Sequence, residues 1–171
     1  LFKGRRQGFS PGSPVSIPFG HRDRLRRRST RPTPLPVPES RPLSHILGAA
    51  LRGIDGFPVE VEVRITSQLP RVEIVGLAQA AVRESAARVR AAITASGFRF
   101  PDRRITINLA PAELPKGGAG LDLAIALGIL AAAGSFEPAA TEKTTFIGEL
   151  ALDGRLRSVR GALALTLAAR E

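Results

Sequence analysis

"NLAPAELPKGGAGLDLAIALG", residues 108–128, brings a lysine and three glycines into an apolar run, so it is either a loop that cradles a phosphate or a strand-to-helix joint. A P-loop has its glycines first and then Gly-Lys-Ser/Thr at the helix start, because the lysine reaches back over the phosphates and the hydroxyl takes magnesium. Here the order is reversed: Lys116 precedes Gly117, Gly118 and Gly120, and no Ser or Thr opens the helix. Backbone amides at a helix N-terminus attract anions, but Asp122 stands in the first turn, complements the helix dipole and repels a phosphate. The glycines are therefore assigned to a tight connection and close packing.

Working outward, "RRITINLAP" alternates Ile105, Ile107 and Leu109 and predicts a strand feeding this joint. After it, "LDLAIALGILAAAG" is apolar on nearly every side, the pattern of a helix buried by a sheet and its neighbours. Upstream, "PVEVEVRI" sets Val59, Val61, Val63 and Ile65 against Glu60, Glu62 and Arg64, the period of a strand with one buried face. "RVEIVG" reads as its neighbour across the short turn "TSQLP", which predicts an antiparallel hairpin. "AQAAVRESAARVRAAITASGF" puts Val82, Ala86, Val89 and Ile93 on one helical face and Arg83, Glu84, Arg88 and Arg90 on others, until Gly97 ends it. Glu84 and Arg88 are spaced for an i,i+4 pair, and the arginines are assigned to a solvated face. "TTFIGEL" predicts a further strand, Asp153-Gly154 a type I′ hairpin turn, and "GALALTLAARE" a helix cut off by the chain end.

The 171 residues suit one ordinary domain with a tail, and the 43% hydrophobic content supports a core. The net charge of +10 is uneven: residues 1–42 hold ten Lys and Arg against Asp23 and Glu39, whereas residues 43–171 hold fifteen against thirteen acids. That arm, with its arginine run and eight of the fourteen prolines, is expected to be disordered. Its arginines offer a non-specific nucleic-acid-binding alternative; a transit-peptide mimic is a further one. The nearly balanced body gives no charge-based reason to grip DNA. With no cysteine and only His21 and His45, thiolate chemistry is excluded, and neither a zinc site nor a Ser-His-Asp triad is expected. No apolar run is long enough for a membrane helix, which predicts a cytoplasmic protein without a membrane partner. The absence of methionine points to a truncated or extended beginning.

Taken together, "GIDGFPVEVEV", "IVGLAQAAVRES", "RVRAAITASGFRFP", "RRITINLAPAELPKGGAGLDLAIALGILAAAG" and "FIGELALDGRLRSVRGAL" resemble, in order and spacing, the N-terminal domain of the ComM/YifB family of magnesium-chelatase-like AAA+ ATPases. The resemblance runs from about Ile46 to the last residue and leaves out the arm. Ala78 departs from the proline common after "VGL", and "KGGAGLD" from the usual "KEGPxxD". The resemblance implies an α/β (α+β two-layer) fold like the second domain of ribosomal protein S five and Lon-type protease domains, spanning 43–171. It also implies a following AAA+ motor that binds ATP and magnesium, a hexameric assembly with neighbouring subunits, and DNA processing such as branch migration in natural transformation. Here Gly120 and Leu163 stand at the positions of the Lon serine and lysine, so the alternative of a Lon-like peptidase lacks its dyad. The expected function is a non-catalytic supporting domain with no cofactor or metal of its own. Arg83, Glu84, Arg88, Lys116, Gly117, Gly118 and Gly120 are the candidate interface toward the motor or neighbouring subunits.

Overall fold

The computed structural model describes residues 43–170. The basic arm, 1–42, with His21 and the expectation of disorder, lies outside the described residues. Strands β1 (Leu43–Arg52), β2 (Asp55–Thr66), β3 (Arg71–Val75) and β4 (Arg104–Ala110) form a sheet in the order β1-β2-β4-β3. Helix α1 (Ala80–Ala95) connects β3 to β4, and α2 (Asp122–Ala132) follows β4. A small hairpin of β5 (Glu149–Leu150) and β6 (Leu156–Arg157) precedes α3 (Ala162–Ala168).

The expected hairpin of β2 with β3 is corrected. β4 lies between them, antiparallel to β2 and parallel to β3, so β3-α1-β4 is a crossover unit. Burial explains the order: Ile105, Ile107 and Leu109 of β4 are fully buried, whereas Val72 and Ile74 of β3 are only half-buried, so the more apolar strand takes the interior position. The hairpin partner of β2 is instead β1, which the hydrophobic pattern conceals. In β1 the inward residues include Ser44 and Gly48 while Leu43 and Leu47 face outward, so the usual polarity of the alternation is blurred. Buried polar groups need partners, and Ser44 has one: its hydroxyl donates to the Gly128 carbonyl at 2.7 Å. Gly48 and Gly128 let α2 lie directly on the β1–β2 pair, because neither carries a Cβ to hold the layers apart. A Cβ at Gly128 would come within 2.7 Å of Val63, and one at Gly48 within 2.8 Å of Leu121.

The core lies between the sheet and helices α1 and α2, where Val59, Val61, Val63, Ile105, Ile107 and Leu109 meet Val82, Val89, Ile93, Ile125 and Ile129. On α1, Ser85 rather than Ala86 is fully buried on the inward face. Its C-terminus closes as a Schellman motif, with Gly97 at φ 84 and the Phe98 amide donating to Ile93 O at 3.1 Å. Arg90, assigned to solvent, stacks its guanidinium 4.1 Å from the centre of the Phe100 ring, a cation–π contact.

Of the predicted strand at 144–150 only Glu149–Leu150 is a named strand; Thr145 adds a single parallel bridge to Leu47. A type I′ turn needs positive φ at both central residues. The Asp153-Gly154 turn has it at Gly154 alone, so it is not type I′; Gly154 N–H donates to Ala151 O at 3.0 Å. Helix α3 forms where predicted and lies over the far end of the β1–β2 hairpin. Leu51 and Gly56 are cross-strand partners on the face opposite the core, and both meet α3 or the glycine that opens it. A Cβ on Gly56 would overlap the Ala164 carbonyl. Gly56→Ala is therefore expected to displace α3 and to cost about 1–3 kcal/mol, read as a lower midpoint in urea denaturation with an unchanged α1–α2 core.

A candidate site at the glycine loop

The joint after β4 is held by two charged side chains that work in opposite ways. Lys116 is fully buried although its sequence context suggests an accessible cation. Its backbone pairs with the loop after β3: Gln79 N–H donates to Lys116 O at 3.0 Å and Lys116 N–H to Leu77 O at 3.3 Å. Its ammonium folds back and donates to the carbonyls of Gly76, at 3.0 Å, and Pro111. One side chain thus ties the end of β3 to the end of β4. The approach needs Gly76, whose φ is +93 and whose added Cβ would overlap the Leu109 carbonyl, a place only glycine fits. Desolvation lowers the Lys116 pKa from its ordinary value, with the negative charge of Glu113 working against the shift.

Asp122, the first residue of α2, is also fully buried, and its carboxylate collects donors from helix α1 and strand β5. Arg88 of α1 grips it as a fork, the planar geometry that suits a carboxylate. Nε donates to Oδ2 at 2.7 Å and Nη2 to Oδ1 at 3.1 Å. Ser85 Oγ donates to Oδ1, and the Leu150 amide of β5 to Oδ2 at 3.3 Å. Arg88 also donates to Ala81 O and to Ser85 Oγ. The Glu84–Arg88 pair expected along α1 is replaced by this contact, and Arg88 leaves the solvated face on which its spacing puts it. The hydrogen bond to Asp122 raises the Arg88 pKa further, against its own desolvation.

The remaining sequence-derived candidates divide in two. Arg83 and Glu84 are exposed on α1, Arg83 donating to Ala78 O at 3.0 Å. In the loop, Gly118 has φ +78, which explains a glycine there. Gly117 faces the Gln79 side chain, while Gly120 has ordinary room for a Cβ and contributes a carbonyl to Gly148 N–H at 2.9 Å. Lys116 and Arg88 point inward and Arg83 and Glu84 outward, so the structure does not gather the seven into one surface. Sequence reasoning misses Ser85 and Leu150: Ser85 lies one position from the residue the helical period selects, and a backbone amide leaves no mark in sequence.

A mixed α/β domain with its glycine loop closed by its own lysine and carboxylate is the class that this geometry defines. Residues 61–171 match the family described as ChlI, subunit ChlI of Mg-chelatase, and the chain belongs to that family. It is 48% identical over 128 residues to an uncharacterised protein of Mycobacterium tuberculosis, covering 75% of this chain and 25% of that protein. It is 45% identical over 121 residues to the uncharacterised protein YifB of Escherichia coli (71% and 24%). With the competence protein ComM of Haemophilus influenzae it shares 40% over 129 residues (75% and 25%). The chain thus spans about a quarter of the length of these relatives. Among the described residues no helix is long and apolar enough to cross a membrane.

Two outcomes test this site. Asp122→Ala strands a partly buried guanidinium, a buried serine and an amide, and is expected to cost about 3 kcal/mol; Asp122→Leu combined with Arg88→Met recovers part of that loss in a double-mutant cycle of urea midpoints. The lysine predicts a pH dependence. Its folded pKa lies below the unfolded 10.5, so the unfolded chain binds more protons between those values and stability rises with pH across that alkaline window. Lys116→Met removes that rise, measured by thermal melts on either side of it.

Proposed function

We propose that the chain is the non-catalytic N-terminal domain of a cytoplasmic magnesium-chelatase-like AAA+ ATPase. In this role it supports the assembly or substrate coupling of a motor that processes DNA, and ATP and magnesium are bound by that motor. The sequestration of Lys116 carries the proposal. The lysine beside the glycine loop spends its ammonium on two backbone carbonyls and is shut off from solvent. The family match and the relative named as a competence protein support the choice of parent and process. A sheet with α1 and α2 on one face supports the ribosomal protein S five domain-two type of fold. The positions matching the Lon dyad carry Gly120 and Leu163, and Leu163 is 76% exposed, which supports a role other than peptide hydrolysis.

Within this role, Arg83 and Glu84 and the Gly117–Gly120 loop are the surfaces offered to the motor or to neighbouring subunits of a hexamer. Arg88 and Lys116 hold those surfaces in place from behind. Deleting the segment equivalent to residues 43–171 from a full-length parent is expected to lower DNA-dependent ATP turnover markedly or to prevent ring formation, read by phosphate release and by sedimentation. Unchanged rings and turnover would overturn the supporting role. ATP hydrolysis by the 171-residue chain that vanishes in Lys116→Met would overturn the non-catalytic one.

A further inference from the structure

The sheet face opposite the core stays open between Leu43 and Leu47. There the strand register brings together three side chains that composition gives no reason to group. His45 of β1 is the direct cross-strand partner of Glu62 of β2, and Glu60 lies two residues along β2 on the same face. His45 Nδ1 is 2.8 Å from Glu60 Oε1 and 3.8 Å from Glu62 Oε1, and the three donor atoms lie within 4.8 Å of one another. We propose that His45, Glu60 and Glu62 form a binding site for a divalent metal ion of the zinc class.

Three observations support it. A metal held at about 2.0–2.2 Å by nitrogen and carboxylate ligands places tetrahedral donors roughly 3.4 Å apart. The 2.8 Å His45–Glu60 contact is a hydrogen bond that a metal would replace, the 3.8 Å His45–Glu62 separation is slightly long, and long glutamate stems can absorb both differences. Second, Asn108, which pairs with Glu62 from β4, donates its amide to Glu62 Oε2 at 2.6 Å and leaves Oε1 on the His45 side. Ligating carboxylates are held by outer hydrogen bonds of this kind. Third, Glu62 and Asn108 line a shallow depression of about 300 Å³ together with Leu43, Arg64 and Thr106. His45 and Glu60 do not line it, so it offers a water or small anion room beside Glu62 alone.

The donor set selects the ion. One imidazole nitrogen with two carboxylates suits zinc or cobalt, whereas calcium takes six or more oxygens and magnesium keeps most of its waters. The sequence expectation of no zinc site rests on the shortage of histidine and cysteine, and carboxylates supplied across the sheet remove that objection.

The test is a titration of the 171-residue chain with zinc chloride by calorimetry, with the histidine resonances followed by NMR. Expected are one saturable site and a shift of the His45 imidazole resonances on saturation. His45→Ala and Glu62→Gln should each weaken binding at least about tenfold, and Asn108→Ala about tenfold. His21→Ala, which changes the other histidine in the chain, should leave it intact. His45, Glu60 and Glu62 all keep solvent contact, with side-chain exposures of 50%, 45% and 33%, so their variants should melt with the parent chain. Absence of saturable binding, binding retained in His45→Ala, loss in His21→Ala, or equal affinity for calcium would each overturn the proposal.

Discussion

The fold turns on one carboxylate. Asp122 sits at the start of the most apolar helix in the described residues, with no access to water. A buried carboxylate is tolerable only with a full set of partners, and α1 and β5 supply them. Helix α2 itself has almost no polar surface to fix its rotation or its height on the sheet. The fork from Arg88, set 34 residues earlier in the chain, supplies that register. It also fixes the helix entrance against the strand end at Leu150, so the glycine loop before it is held from two sides. A stripe of alanine, leucine and isoleucine could slide along the sheet; a buried carboxylate with its surrounding donors cannot do so without losing them together.

Lys116 plays the complementary part at the other end of the same loop. The crossover β3-α1-β4 leaves two strand ends side by side, each followed by a turn with carbonyls to satisfy. The lysine fills both needs with one ammonium, and Gly76 provides the clearance. Leu77, at φ 52, is pinned by this arrangement, its carbonyl taken by the Lys116 amide, in a conformation uncommon for leucine. The residues that make the segment look like a nucleotide loop are thus used up in joining secondary structure.

Much of this is legible in the sequence. The alternation in β2 and β4, the period of α1 with its closing glycine, and the unbroken apolarity of α2 each follow from side-chain burial on a single element, which a linear pattern records. β1 escapes because Ser44 and Gly48 occupy inward positions and leucines outward ones, the reverse of the usual signal. The order of the sheet escapes because a short turn between β2 and β3 argues for local pairing, while the competition won by β4 is decided by burial across the whole sheet. The site is half visible: sequence places Asp122 in the first turn of its helix but does not find its partners. Arg88 has a nearer candidate in Glu84, and nothing in a helical wheel shows that it reaches inward to another helix. The grouping of His45 with Glu60 and Glu62 depends wholly on the pairing of a strand the pattern does not reveal.

The burial of Lys116 also bears on how the molecule can be handled. The chain contains three lysines, and of the two in the described residues only Lys143 is exposed, in the turn after the 3-10 segment Pro138–Thr141. Within residues 43–170, an amine-directed fluorophore, biotin or resin should therefore couple at that one corner. Such attachment leaves the joint between the sheet and its central helix chemically untouched.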